Sequence, residues 1–147
     1  MRRNLRPEDL RDLLAQPRNA ILATHFADGT TLLSPVWHEW SDGGFTILLG
    51  AGDVKTRHLR RDPRVSVVVA DDLPPYRGLE VRGEAKIRTD VSEASPLLRR
   101  IAIRYLGETE GNAYANAGDP ASTAILRVEP GVLRAWDFAD EYPITEK

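Results

Sequence analysis

Leu79-Glu80-Val81-Arg82-Gly83-Glu84-Ala85-Lys86-Ile87-Arg88 carries the cleanest period-two alternation in the chain. Leu79, Val81, Gly83, Ala85 and Ile87 point one way, and Glu80, Arg82, Glu84, Lys86 and Arg88 the other. A strand with one dry and one wet face belongs to a barrel wall, or to an antiparallel sheet solvated on one side. Just upstream, Val65 to Ala70 is rich in β-branched residues, which predicts a central strand. Further back, Ala20 to Thr24, Thr30 to Trp40 and Phe45 to Leu49 read as three more strands. Asp28-Gly29 between the first two is the signal of a type I′ hairpin, and Asp42-Gly43-Gly44 supplies the second turn. Turns this short permit only antiparallel neighbours, so these three strands form a meander. Downstream, Thr123 to Val128 and Val132 to Trp136 are strands flanking a Glu129-Pro130-Gly131 turn or bulge.

Helical signals are fewer. Pro7 to Leu14 reads as a short opening helix, with proline at a first helical position and Leu10, Leu13 and Leu14 on one face. A short basic helix follows Asp53 and is stopped by Asp62-Pro63. Leu97, Leu98, Ile101, Ala102 and Tyr105 form a helical stripe, started near Asp90 or Ser95-Pro96 and closed at Gly107. Glu108 to Pro120 carries weak signals that allow another short helix around Ala113. No repeat, low-complexity tract or linker divides residues 1–147, so a single domain is expected. Six or seven strands with one helical insertion favour a small closed barrel over an open sheet, because closure removes exposed edges.

Composition removes several classes of function. A net charge of −2 argues against nucleic-acid binding, which calls for a basic surface. The absence of cysteine leaves no disulfide framework, thiolate metal site or thiol chemistry. No stretch approaches a membrane span and no apolar leader opens the chain, so a cytoplasmic location is expected.

The most informative stretch for chemistry is Gly50 to Val69: a strand end, a Gly-rich bend, the basic helix, and a strand again. The bend sets Lys55, Thr56 and Arg57 in the first helical turn, where unpaired N–H groups and the dipole favour an anion. An ammonium, a hydroxyl and a guanidinium there make a phosphate clamp. The competing reading is a capped surface helix with solvated arginines. Pro35, inside Leu32-Leu33-Ser34-Pro35-Val36-Trp37-His38, cannot donate to a ladder. It marks either a plain edge strand, or a backbone whose free N–H and C=O groups meet a flat heteroaromatic ring. His25, His38 and His58 show no metal-ligand spacing, and no Gly-x-Ser-x-Gly elbow supports a serine hydrolase. Asp71-Asp72-Leu73-Pro74-Pro75-Tyr76 is a stiff connector that holds Tyr76 to Gly78 on the barrel rim. Trp37, Trp40 and Trp136 each demand burial in a core, an interface or a ligand pocket.

Taken together these segments resemble the flavin/deazaflavin split-barrel family, also called the pyridoxamine 5'-phosphate oxidase-like superfamily. The resemblance rests on Ala20-Ile21-Leu22-Ala23-Thr24 with Asp28-Gly29, on Ser34-Pro35-Val36-Trp37, and most specifically on Lys55-Thr56-Arg57-His58-Leu59-Arg60-Arg61-Asp62-Pro63-Arg64-Val65. Pro75-Tyr76-Arg77, Val81-Arg82-Gly83 and Arg104-Tyr105-Leu106-Gly107 add to it. His58 stands where many relatives have asparagine. The branch it looks most like uses the deazaflavin cofactor F420.

The resemblance implies a mainly β fold, a six-stranded antiparallel split barrel of the FMN-binding type with flanking helices, forming a homodimer with cofactor at the subunit interface. By the same analogy Ser34, Pro35, Val36 and Trp37 run along the ring system, and Lys55, Thr56 and Arg57 hold the phosphate end. Tyr76, Arg77 and Gly78 line the groove, and Trp136 reaches the cofactor from the other subunit. Coenzyme F420 is a long polyanion, and Lys55, Arg57, Arg60, Arg61 and Arg64 crowd into ten residues of a slightly acidic chain, which favours F420 over FMN. The implied activity is hydride transfer to a small conjugated or heteroaromatic substrate, with no side chain named as catalytic and no metal. An FMN-dependent enzyme of the same fold, and a non-enzymatic flavin or haem carrier or sensor, stand as alternatives.

Overall fold

The structure, a computed structural model, describes residues 1–142. Among the described residues eight strands form: β1 Ala20–His25, β2 Thr31–Val36, β3 Glu39–Ser41, β4 Gly44–Gly50, β5 Arg64–Ala70, β6 Gly78–Arg88, β7 Thr123–Val128 and β8 Val132–Trp136. Four α-helices accompany them: α1 Arg11–Ala15, entered through a 3-10 turn at Pro7–Leu10, α2 Val54–Arg61, α3 Val91–Leu106 and α4 Glu108–Ala117. All pairings are antiparallel, in the order β2-β1-β5-β6-β7-β4-β3, with β8 beside β6.

That order corrects two expectations. The run Thr30 to Trp40 is not one strand but two, because it leaves its ladder at Trp37-His38; this break, with β8, makes the count eight rather than six. β2 and β3 then lie at opposite ends of the sheet although two residues join them. Such a short link forces the sheet to curl until its ends meet, which makes the seam of a split barrel. The meander therefore holds only as two hairpins, β1–β2 and β3–β4. Their turns also differ from expectation. The type I′ geometry falls at Asp42-Gly43, where φ is 49° and 73°; at Asp28-Gly29 only the glycine is left-handed, at 86°. There the Asp28 carboxylate accepts from the Thr30 N–H at 3.0 Å and its hydroxyl at 2.6 Å. This Asx turn lengthens the loop so that Phe26 and Thr30 close it.

β6 is the strand shared by both halves. One edge pairs with β5, and the other with β8 along Gly78–Arg82 and then β7 along Ala85–Arg88. Its alternation places Leu79 and Val81 in the core and leaves Arg82, Glu84, Lys86 and Arg88 exposed, as the sequence pattern requires. Leu10, Leu13 and Leu14 of the opening helix plug the barrel against Leu22, Phe45, Ile47, Val67, Leu79 and Leu126. Each such fully buried side chain contributes about 1.5–3 kcal/mol. Arg104 holds that plug in place, donating to the carbonyls of Leu14 (3.0 Å), Ala15 (3.1 Å) and Gln16 (2.7 Å).

The α3–α4 hairpin covers the outside of β4 and β7, where Ile125 is fully buried. Asp90 caps α3 through the Ser92 N–H, Gly107 ends it at φ 83°, and Arg99 clamps α4 through Asn112 (2.7 Å) and Asn116 (2.8 Å). No helix among the described residues is long and apolar enough to cross a membrane.

Candidate functional site

The basic corner is built by the bend between β4 and α2. Asp53 occupies the N-cap position, yet no side chain caps the helix. Its carboxylate turns back to accept the Gly50 N–H at 3.1 Å and stands 3.8 Å from the Lys55 ammonium. The first turn of α2 thus keeps its dipole and N–H groups available to an anion, flanked by half-buried Lys55 and exposed Arg57. Thr56 lies differently from the expectation. Its side chain is fully buried, and its only hydroxyl proton goes to the Gly50 carbonyl at 2.7 Å, so it braces the bend and offers an anion its backbone N–H. His58 also points inward, 3.0 Å from the Thr24 hydroxyl and edge-on to Phe26 at 4.3 Å. Of the other cations, Arg64 is neutralised by Asp62 at 2.7 Å, which holds that carboxyl down at about 2. Arg61 donates to the His25 carbonyl. Arg57 and Arg60 are exposed and reach outward.

Ser34, Pro35 and Val36 lie on β2, the terminal strand of the sheet. Ser34 and Val36 are half-buried, Val36 against the core, while Pro35 and the 66% exposed Leu33 face out. What β2 presents beyond its own ladder is an unpaired backbone edge. Trp37 leaves that edge. Its ring stacks on Tyr105 at 4.8 Å with planes 6° apart and meets Tyr114 at 5.3 Å. Its neighbour His38 is fully buried. The Tyr105 hydroxyl donates to the Arg18 carbonyl at 2.7 Å and accepts the His38 backbone N–H at 2.9 Å. Its remaining lone pair faces His38 Nδ1 at 3.0 Å, so Nδ1 carries the proton and Nε2 is bare, buried and unpartnered. Burial, and secondly the Arg104 charge, pushes the imidazole down to about 4.

The third group gathers at the β5–β6 connector. Arg77 pairs with Asp71 at 3.0 Å and Asp12 at 2.8 Å, and Arg18 adds a second cation on Asp71 at 2.7 Å. The Arg77 guanidinium thus ties the connector to the opening helix. Tyr76 is 40% exposed at φ 56° and meets Tyr142 edge-on. Gly78 is opposite Trp136 in the β6–β8 register, and a Cβ there would lie 2.1 Å from the indole, so only glycine lets Trp136 lie flat across β6.

A single chain does not bring the three groups together. Pro35 and Trp136 share the sheet's outer face but are four strands apart, roughly 19 Å at the usual spacing. Helix α2 lies against the far end of β1 through His58 on Thr24 and Arg61 on the His25 carbonyl, with Lys55 and Arg57 in its first turns. Sequence reasoning passed over Tyr105 and Tyr114 as site residues. Tyr105 was visible as part of a helical stripe and of the Arg104-Tyr105-Leu106-Gly107 match, neither of which gave it a role, and the helix carrying Tyr114 is too polar to show a face. Among the described residues no group of three His, Asp or Glu side chains is placed to hold a metal ion.

The profile of the family described as pyridoxamine 5'-phosphate oxidase matches residues 7–137. A search of curated proteins finds no match. Among solved structures, the chain is similar to an F420 reductase at 31% identity, covering 84% of this chain and 94% of that one with a TM-score of 0.69. It is also similar to a conserved hypothetical protein of Mycobacterium tuberculosis, at 25% identity over 100% and 96% of the two chains, TM-score 0.78. A FAD-binding protein of Mesorhizobium loti, 21% identical over 90% and 95%, shares the fold with a TM-score of 0.65. The profile match, the curled antiparallel sheet and the split at Trp37-His38 agree: the chain belongs to the pyridoxamine 5'-phosphate oxidase-like split-barrel superfamily.

Proposed function

We propose that this protein is an F420-dependent oxidoreductase that moves a hydride between reduced deazaflavin and a small conjugated or heteroaromatic substrate. The observation that carries the reading is the uncapped start of α2 with Lys55 and Arg57 beside it, a donor set suited to a phosphodiester. The 31% identity to an F420 reductase supports deazaflavin over FMN. The bound cofactor supplies the hydride chemistry. The chain's own residues bind and orient: Lys55, Arg57 and the N–H of Thr56 at the phosphate, and the unpaired backbone edge of Ser34, Pro35 and Val36 along the ring. Tyr76, Gly78 and Trp136 approach from a second copy, with Arg77 fixing the loop that presents them. No acid, base or nucleophile is assigned.

A homodimer is part of the proposal, because the ring edge and Trp136 are too far apart within one subunit. The surface offered for it is the outer face of β2, β1, β5, β6 and β8, where Leu33, Pro35, Ile21, Ala23 and Val68 lie without a helix over them.

Titration of the cofactor-free protein with F420 and with FMN, side by side, tests the reading. F420 is expected to bind tighter, and Lys55→Ala with Arg57→Ala to weaken it by about 2–4 kcal/mol, at roughly 1.5–3 per charge-assisted bond less non-additivity. Unchanged affinity in a folded double variant removes the corner from the site, and preference for FMN replaces the cofactor.

A further inference from the structure

We propose that the recess between the barrel wall and the α3–α4 hairpin is a binding site for a small, uncharged, planar aromatic molecule, adjoining the cofactor's phosphate corner at Gly50 but not using its cations. The recess, open on one side, holds about 150 Å³; Trp37, Leu48, Leu49, Leu98, Ile101 and Tyr114 wall it, and Gly50 and Thr123 complete it. A mainly apolar recess of that size accepts a single aromatic ring.

Three features select the ligand. Among the described residues no charged side chain lines the recess, so an ionised ligand would lose hydration without gaining a partner. Two of the walls are aromatic and already oriented. Trp37 is held by its parallel stack on Tyr105, and Tyr114 stands 5.3 Å from it at 49°. A flat ring can therefore meet one face and one edge at once. Tyr114 remains 51% exposed, so its ring has surface left to cover.

The polar end of the ligand has a direction too. Beyond Leu98, Tyr114 and Thr123 the recess opens into a shallower depression of about 420 Å³ that includes Asp119 and Ser122. Those two are satisfied locally. Asp119 accepts from the Ala121 N–H at 3.1 Å and the Ser122 hydroxyl at 2.7 Å, and therefore does not demand a cation. The site fits one ring inside, with a second ring or one polar substituent towards the mouth. It goes beyond the cofactor reading and is tested without cofactor.

The test is calorimetric titration of the cofactor-free protein with indole, cyclohexanol and benzoate, with amide chemical shifts recorded in parallel. Indole is expected to saturate with the largest shifts at Leu98, Tyr114 and Thr123, and both other probes to bind at least tenfold more weakly. Leu98→Trp, which fills the recess, is expected to weaken indole at least tenfold. Tyr114→Ala, at an exposed position that leaves the fold intact, is expected to weaken it about fivefold. F420 titration of Leu98→Trp separates the two sites, since its affinity is expected to be unchanged. Absence of indole saturation, equal binding of cyclohexanol, or indole affinity retained in both variants overturns the proposal.

Discussion

The two halves of the barrel bury their outer faces differently. On β4 and β7 the strands are closed on both sides: Phe45, Ile47, Leu126 and Val128 face the interior, while Ile125 is fully buried under the helical hairpin. On β2, β1, β5, β6 and β8 only the inner face is closed. Outward residues there are still apolar in the middle: Ile21, Ala23 and Val68 are half-buried, Leu33 is 66% and Val132 52% exposed. Charges appear at the entry of β5, as Arg64, and on β6 and β8, as Glu80, Arg82 and Arg134. An outer sheet face meant for water alternates with polar residues across its whole width. This one does not, which is why a second copy of the chain, rather than solvent, is proposed to cover it.

The sharpest way to break the contrast is a charge on each face. Ile125→Asp buries a carboxylate under the hairpin and is expected to cost more than about 4 kcal/mol, seen as loss of the folded circular dichroism signal. Val68→Asp is expected to leave the subunit folded and to weaken dimerisation about 100-fold, since a two-fold interface repeats the charge. Sedimentation velocity of Val68→Asp at micromolar concentration reads this directly. An unaltered dimer would assign that face to something else.

The seam joining the halves can be broken by acid. The unfolded chain takes up a proton on His38 near 6.5, the folded chain only near 4, so the unfolded state binds more protons in between. Stability contributed by the neutral imidazole is full above pH 6.5 and is lost as pH falls towards 4, by about 3 kcal/mol. Urea melts between pH 7 and 5 measure most of the effect while carboxylates, with ordinary values near 4, are still largely ionised in both states. His38→Phe is expected to flatten the slope. A slope that persists in the variant would place the titration elsewhere.

Much of this was legible beforehand, and the exceptions have physical reasons. The alternation of β6, the β-branched run of β5 and the caps at Asp90 and Gly107 are local signals that the tertiary structure obeys. The break at Trp37-His38 is not local. Two residues leave the ladder because the sheet's two ends must meet there, and Pro35, readable as a plain edge or as a backbone freed for a ring, did not locate the break. The hairpin at Asp28 went astray because its carboxylate prefers its own Thr30 to the left-handed conformation. At the candidate site, the residue types of the basic corner were readable. That Thr56 faces inward was not, since a buried threonine and a phosphate-binding one look alike in a string of letters.

Arg77 tests whether the connector or the cofactor uses that cation. Asp71 is 9% exposed and holds two arginines, so Arg77→Ala is expected to cost about 1–3 kcal/mol of stability through a partly unsatisfied carboxylate. Cofactor affinity is expected to change less than stability, by about twofold at most. A loss of affinity with an unshifted melting temperature would reverse that assignment.

The smallest effect expected is a gain. Asp53 places a carboxylate 3.8 Å from the Lys55 ammonium, within the corner assigned to a polyanion, while its other duty is to accept the Gly50 N–H. Asp53→Asn keeps an acceptor for Gly50 and removes the charge. Both partners are solvent-screened, with Asp53 48% and Lys55 23% exposed, so the expected tightening of F420 binding is modest, about two- to fivefold, and larger at low salt. If affinity falls instead, the carboxylate is steering the ammonium towards the phosphate rather than competing with it, and Lys55 acts only as part of a pair.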